Sequence, residues 1–190
     1  MSRFFWIRHG PTHAKAMVGW TDLPADLSDV EQLARVEAQL PADALVISSD
    51  LIRARATADA LQGPRARLPD DPALREIHFG AWEMAHWDGV DDPARLRAFW
   101  DTPGDLAAPG GESWNAVSAR VSAAVSRLMA AHPGRDIVAV AHFGAILTQV
   151  QVAQRLTPLQ AFAQKINNLS LTELHHGPNG WHAARINHLA

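Results

Sequence analysis

Residues 3–12 read RFFWIRHGPT, and the reading of this stretch decides the fold class. Phe4, Phe5, Trp6 and Ile7 form a short apolar run of β-favouring residues that stops at Arg8, His9, Gly10 and Pro11, so a buried strand ends in a cationic tip bearing an imidazole. In open parallel sheets, ligands occupy the crevice beyond the carboxyl ends of the strands. Arg8 is a fork-shaped donor suited to a phosphate or a carboxylate. An isolated Arg-His-Gly recurs by chance, so its meaning depends on what the rest of the chain brings beside it.

Two further stretches repeat the pattern. Ala44 to Ser48 (ALVIS) is a second buried strand, followed by Ser49, Asp50 and a helix to about Leu61 that Asp50 is expected to cap. Arg53 falls in the first turn of that helix, where a cation adds to the backbone donors and costs stability unless an anion is bound. Asp136 to Ala141 (DIVAVA) is a third buried strand, ending on His142, Phe143 and Gly144 ahead of a helix from Ala145 to Gln154. Strands alternating with helices predict an α/β/α sandwich with a mostly parallel central sheet, which brings the three tips to one edge.

The intervening segments complete the outline. Pro11 to Asp26 is a turn-rich loop over the first tip, and Ser28 is the expected N-cap of a helix that Pro41 stops. Residues 65–111 are irregular, with LREIHFGAWE in the middle, a short helix from Asp92 to about Trp100, and PGGES at Pro109 to Ser113 as a turn and N-cap. An amphipathic helix follows from Trp114 to before Pro133, and Lys165–His175 with Trp181–Ile186 reads as an antiparallel pair. The expected organisation is one domain, 1–190, with a cap-like insertion at about 65–111.

Composition narrows the function. The 190 residues carry 17 Lys and Arg against 20 Asp and Glu, a net charge of −3 with no basic cluster, so nucleic acid is not an expected partner. There is no Cys, which excludes disulfides and thiol catalysis. No apolar run approaches bilayer-spanning length and the N-terminus lacks the apolar region of a signal peptide, so no membrane is expected and the cytoplasm is the expected location.

Two Arg and two His converging on one pocket suit a dianion. Arg8 and Arg53 supply permanent charge, a neutral His can attack phosphorus, and a second His can stabilise the equatorial oxygens or donate a proton. An alcohol leaves a phosphoryl group poorly unless it is protonated, so a partner acid is needed. Glu76 leads, with Glu83 the alternative. RHGPT at 8–12, SSDLIRARATA at 48–58, LREIHFGAWE at 74–83, PGGES at 109–113 and VAHFGAI at 140–146 resemble, in order, the motifs of the histidine phosphatase superfamily, which includes cofactor-dependent phosphoglycerate mutases and α-ribazole phosphatases. The likeness spans about residues 3–172. It implies that His9 is phosphorylated during turnover, that Arg8, Arg53 and His142 hold the phosphoryl group, and that Glu76 protonates the leaving oxygen and then activates water. It also implies no metal and no other cofactor.

Departures from the family pattern matter equally. Lys15 stands where members often carry Asn, and Phe143 where they usually have the first Gly of His-Gly-Gly. The segment around Glu76 is closer to the phosphatases than to the mutases, and the chain lacks room for the mutases' longer insertion and tail. Hydrolysis of a small phosphorylated metabolite is therefore expected, with mutase-type phosphoryl exchange or non-catalytic phospho-ligand binding as the rivals. Thr12, Lys15, Trp20 and Phe143 are candidate substrate contacts. Lys15 is open between ligand contact and solvated charge, His78 between site rim and core, and Trp20, Trp82 and Trp87 between pocket wall and core. His175, His176, His182 and His188 are expected at the surface rather than on a metal. A homodimer is the assembly to test.

Overall fold

The four-residue run at Phe4–Ile7 is apolar throughout because its strand is covered on both faces. In the computed structural model, which describes residues 2–190, β1 (Ser2–Arg8) lies inside a six-stranded sheet. Phe4 and Trp6 point into one hydrophobic core and Phe5 and Ile7 into the other, as the two-residue period of a strand requires. The remaining strands are β2 (Leu45–Ser48), β3 (Ala66–Arg67), β4 (Ile137–Ala141), β5 (Leu171–Gly177) and β6 (Gly180–His188). Their order is β3-β2-β4-β1-β5-β6, parallel through β1 and antiparallel in the terminal β5–β6 hairpin.

Helices cover both faces. The core on the Phe5 side includes Leu33 and Val36 of α1 (Val30–Glu37) and Ala54, Ala58 and Leu61 of α2 (Ile52–Leu61). The Phe4 side packs against α3 (Pro93–Asp101), α4 (Trp114–Ala131), α5 (Phe143–Gln154) and α6 (Pro158–Phe162). Between β3 and α4 the chain makes three single 3-10 turns and α3. Among the described residues, no helix is long and apolar enough to cross a membrane.

Two helix starts differ from the sequence reading. The N-cap of α1 is Asp29, whose carboxylate accepts from the Gln32 amide, and not Ser28. Asp50 does not cap α2: the helix begins after Leu51 without a side-chain cap, and Asp50 instead makes a two-pronged ion pair with Arg75 at 2.7 and 2.5 Å. A bidentate guanidinium is the stronger partner for a carboxylate, and it ties the start of α2 to the segment that carries Glu76.

The far end of α2 is held by Arg65, which is 5% exposed. Its guanidinium donates to the Pro41 carbonyl at 2.6 Å, the Leu40 carbonyl at 2.8 Å and the Glu37 carboxylate at 2.7 Å, closing α2 against the end of α1. Arg65→Met removes these donors and leaves buried carbonyls unpaired, so urea denaturation is expected to show a loss of about 2–4 kcal/mol.

Candidate active site

The strand ladders set the level of every tip. Arg8 pairs with Ala141 and Ser48 with Val140, and the ladders run one residue past the strand ends: the His9 amide donates to the Ala141 carbonyl and the Ser49 amide to the Val140 carbonyl, each at 3.1 Å. His9 and His142 are thus neighbours, with ring centroids 5.0 Å apart. Both are buried.

His9 Nδ1 lies 2.7 Å from the Gly10 carbonyl, which only accepts, so Nδ1 carries the proton and Nε2 the lone pair. Arg53 Nε donates toward that lone pair at 3.2 Å. Burial, reinforced by the charges of Arg53 and Arg8 and opposed by the Gly10 bond, pushes the His9 pKa down to about 3. The ring is therefore neutral, with its lone pair at Nε2, across the physiological range. His142 is held well below the ordinary imidazole value, first by burial and then by His9 and the two guanidinium groups. Its Nε2 lies 2.6 Å from the Ser49 hydroxyl, while its Nδ1 is buried without a partner.

Arg53, the second residue of α2, is 1% exposed. Its Nη atoms donate to the Gly19 and Thr21 carbonyls at 2.6 and 2.9 Å. Arg8 donates to the Ile166 carbonyl at 2.7 Å, its guanidinium lies 5.5 Å from the centre of the Phe143 ring, and its Nε is buried without a partner. Among the described residues, neither Arg forms an ion pair. Burial lowers both guanidinium pKa values, and the nearby Glu76 charge opposes it. A buried or half-buried cation satisfied by dipoles alone carries a desolvation cost that an anion seated beside it would offset.

Glu76 is buried, and Oε1 accepts from the Ile77 and Gly144 amides, each at 2.9 Å. Burial raises its pKa, against the pull of the Ile77 amide and of Arg53 and Arg8. Its backbone carbonyl takes the Trp20 indole N–H at 2.8 Å and Arg120 Nη2 at 3.1 Å. Arg120 is in turn fixed by both oxygens of Glu112, from PGGES, at 2.8 and 2.7 Å. Glu83, the alternative acid, is engaged elsewhere. Its carboxylate accepts from the amides of Gly19, Trp20, Thr21 and Phe79 and from the Thr21 hydroxyl. Burial alone pushes the Glu83 pKa up, but these bonds together hold it below the usual value. It is an anchor that folds the Gly19–Thr21 loop so that its carbonyls face Arg53.

Beside the buried centre lies a cavity of about 380 Å³ lined by Arg8, Glu76, Lys15, Trp87, Trp100 and Phe143, among others. Lys15 and Phe143, two of the four candidate substrate contacts, line this cavity. Thr12 and Trp20 do not line it. Trp20 is spent on positioning: its ring carries the Arg75 guanidinium 4.6 Å from its centre and the His78 ring at 4.5 Å, and its N–H holds Glu76. His78 belongs to that half-buried stack, Trp82 is core, and Trp87 is a half-exposed wall. In the terminal hairpin, His175 bonds to Glu173 at 2.7 Å and its ring packs edge-on to His182.

Three supporting residues escaped the sequence reading. Asn168 Nδ2 donates to the His9 carbonyl at 2.7 Å, Thr57 Oγ1 accepts the Gly10 amide at 3.0 Å, and Ser49 holds His142. Ser49 and Thr57 lay within a recognised motif, but nothing local marked Asn168, which reaches the site only because β5 runs beside β1.

A family model described as the histidine phosphatase superfamily (branch 1) matches residues 4–189. The chain belongs to this superfamily. It is 32% identical over 164 residues to the adenosylcobalamin/alpha-ribazole phosphatase of Salmonella typhimurium, covering 82% of this chain and 80% of that one. It is 33% identical over 165 residues to the glucosyl-3-phosphoglycerate phosphatase of Mycobacterium tuberculosis, covering 76% and 71%. The solved structure of YhfR from Bacillus stearothermophilus superposes with a TM-score of 0.91 at 26% identity, over 100% of this chain and 98% of that one. This superfamily member keeps the second residue after His142 as Gly for a local reason. A Cβ on Gly144 would stand 2.5 Å from Glu76 Oε1 and 2.8 Å from the Ile77 side chain. Gly144→Ala is therefore expected to displace the Glu76 carboxyl and lower kcat about a hundredfold with the fold retained, checked by steady-state kinetics beside circular dichroism.

Proposed function

We propose that the protein hydrolyses a small phosphomonoester through a phosphohistidine on His9. The observation that carries this reading is the neutral His9 ring beside the buried Arg53 and the half-buried Arg8, neither of which has an ion-pair partner among the described residues. Phosphatases of small phosphorylated metabolites among its relatives support it. We also propose a cytoplasmic location, where such metabolites are made and consumed.

In the first step His9 Nε2 attacks phosphorus, the bond from phosphorus to the ester oxygen breaks, and protonated Glu76 gives that oxygen its proton. Arg8, Arg53 and His142 hold the equatorial oxygens, whose charge is matched by the two guanidinium groups. In the second step Glu76, now a carboxylate, takes a proton from water while the water oxygen attacks phosphorus and the bond to nitrogen breaks. Inorganic phosphate leaves and both residues return to their starting state. The Gly10 bond fixes the His9 tautomer so that the lone pair stays at Nε2, and burial keeps Glu76 protonated to a higher pH than an exposed carboxyl.

His9→Ala is expected to fold and to lose turnover, and brief exposure of the wild type to a radiolabelled substrate to give an acid-labile, base-stable phosphoprotein. Normal hydrolysis by the variant would refute the proposal. Turnover is expected to persist in excess chelator.

The pH profile follows from the two shifts. Because His9 is already neutral above about 3, kcat/KM corrected for the substrate's own second ionisation at about 6 should show no further fall on acidification through pH 6.5 of the kind an ordinary imidazole nucleophile gives. On the alkaline side it should fall as Glu76 deprotonates, at a pH above the ordinary carboxylate range. Glu76→Gln should lower turnover of an alkyl phosphate about 100- to 10,000-fold and remove that alkaline limb. A substrate with a good leaving group, p-nitrophenyl phosphate, should lose less in its phosphorylation step, as single-turnover kinetics can report.

A further inference from the structure

The cavity beside the phosphoryl site holds more than the proposed chemistry uses. Two features stand out: its wall is aromatic and its charge is in surplus. The wall is made by Phe79, Trp87, Trp100 and Phe143. Trp87 is half exposed, and its ring centre lies 5.4 Å from that of Trp100. Trp100 is hemmed in by Phe79, Phe99 and Phe162 at 6.1, 5.1 and 5.1 Å. Trp114 pairs its N–H with Gln151 at 2.6 Å, whereas Trp100 Nε1 is buried without a partner. A surface of flat rings at a cavity mouth favours flat apolar ligands by stacking and by the area they remove from water.

The charge count adds a second requirement. Arg8 and Arg53 together match a phosphoryl dianion, and Glu76, as the acid, starts neutral. Lys15 lines the same cavity and is a third cation, exposed and without an ion pair among the described residues. A leaving group with a negative charge of its own balances it, and one with an amino group is repelled by it.

We propose that this cavity is a leaving-group pocket for a flat, apolar alcohol bearing one negative charge, with Trp87 and Trp100 against its rings and Lys15 at its charged end. The proposal rests on the hydrolase reading above. Specificity then lies in the turn-rich loop that carries Lys15 and in the segment that carries the tryptophans, while the phosphoryl centre handles any monoester.

Three substrates that all release an alkyl alcohol test it without changing the strength of the leaving group: glycerol 3-phosphate, benzyl phosphate and 4-carboxybenzyl phosphate. The expected order of kcat/KM rises in that sequence, each step by about tenfold. Trp87→Ala should lower the value for benzyl phosphate about tenfold more than the value for glycerol 3-phosphate. Lys15→Met should bring 4-carboxybenzyl phosphate down to the level of benzyl phosphate, and Lys15→Arg should restore the difference. Equal or better turnover of glycerol 3-phosphate, or variants that lower all three substrates by one common factor, would overturn the pocket. If phospho-His9 still forms from all three in that case, the hydrolase reading stands without it. If the wild type forms no phospho-His9 from any of them, both readings fall together.

Discussion

At the edge of the sheet Arg53 is buried and Arg8 half-buried, neither with an ion pair among the described residues, and much of the local structure exists to make that tolerable. Arg53 is held by the carbonyls of Gly19 and Thr21, and Arg8 by the carbonyl of Ile166. The Gly19 and Thr21 carbonyls face Arg53 because Glu83 gathers the amides of the same loop on its other side. The cost of leaving the cations without a counter-ion is borne by this scaffold, and it is recovered when an anion arrives. Burial first, and the two cations after it, keep both imidazoles neutral.

Glu76 answers to a different balance. A carboxyl between two guanidinium groups would ordinarily be strongly acidic, yet burial raises its pKa against them. Its position is fixed from outside the pocket: Glu112 holds Arg120, and Arg120 and Trp20 hold the Glu76 carbonyl. Gly144 admits the carboxyl from the other side because any side chain there would occupy its space. Three motifs far apart in the chain therefore converge on the Glu76 carboxyl.

The site was legible in the sequence where side-chain chemistry and strand position coincide. Arg8, His9 and His142 each follow a run of apolar β-formers, and Arg53 stood out as a cation at the positive end of a helix. Less was legible where the partner is far along the chain. Asp50 looked like a helix cap, since capping is its commonest local use, but Arg75 outbids the backbone amides for it. Trp20 stayed open between pocket wall and core because aromatic character alone does not say which atom of the ring is needed. Its N–H, and not its face, is what serves Glu76.

By itself the sequence determined the α/β alternation, the burial of β1, β2 and β4, the order of the motifs and the presence of two Arg and two His at the strand tips, because these follow from hydrophobic period and side-chain chemistry within short windows. Only the tertiary structure decided which acid is free and which is an anchor, that Asn168 and Thr57 brace the His9 turn, and that Lys15 and Trp87 share one cavity. These are matters of distance between residues that the chain separates, and the parallel sheet, by bringing three strand ends to one level, sets those distances.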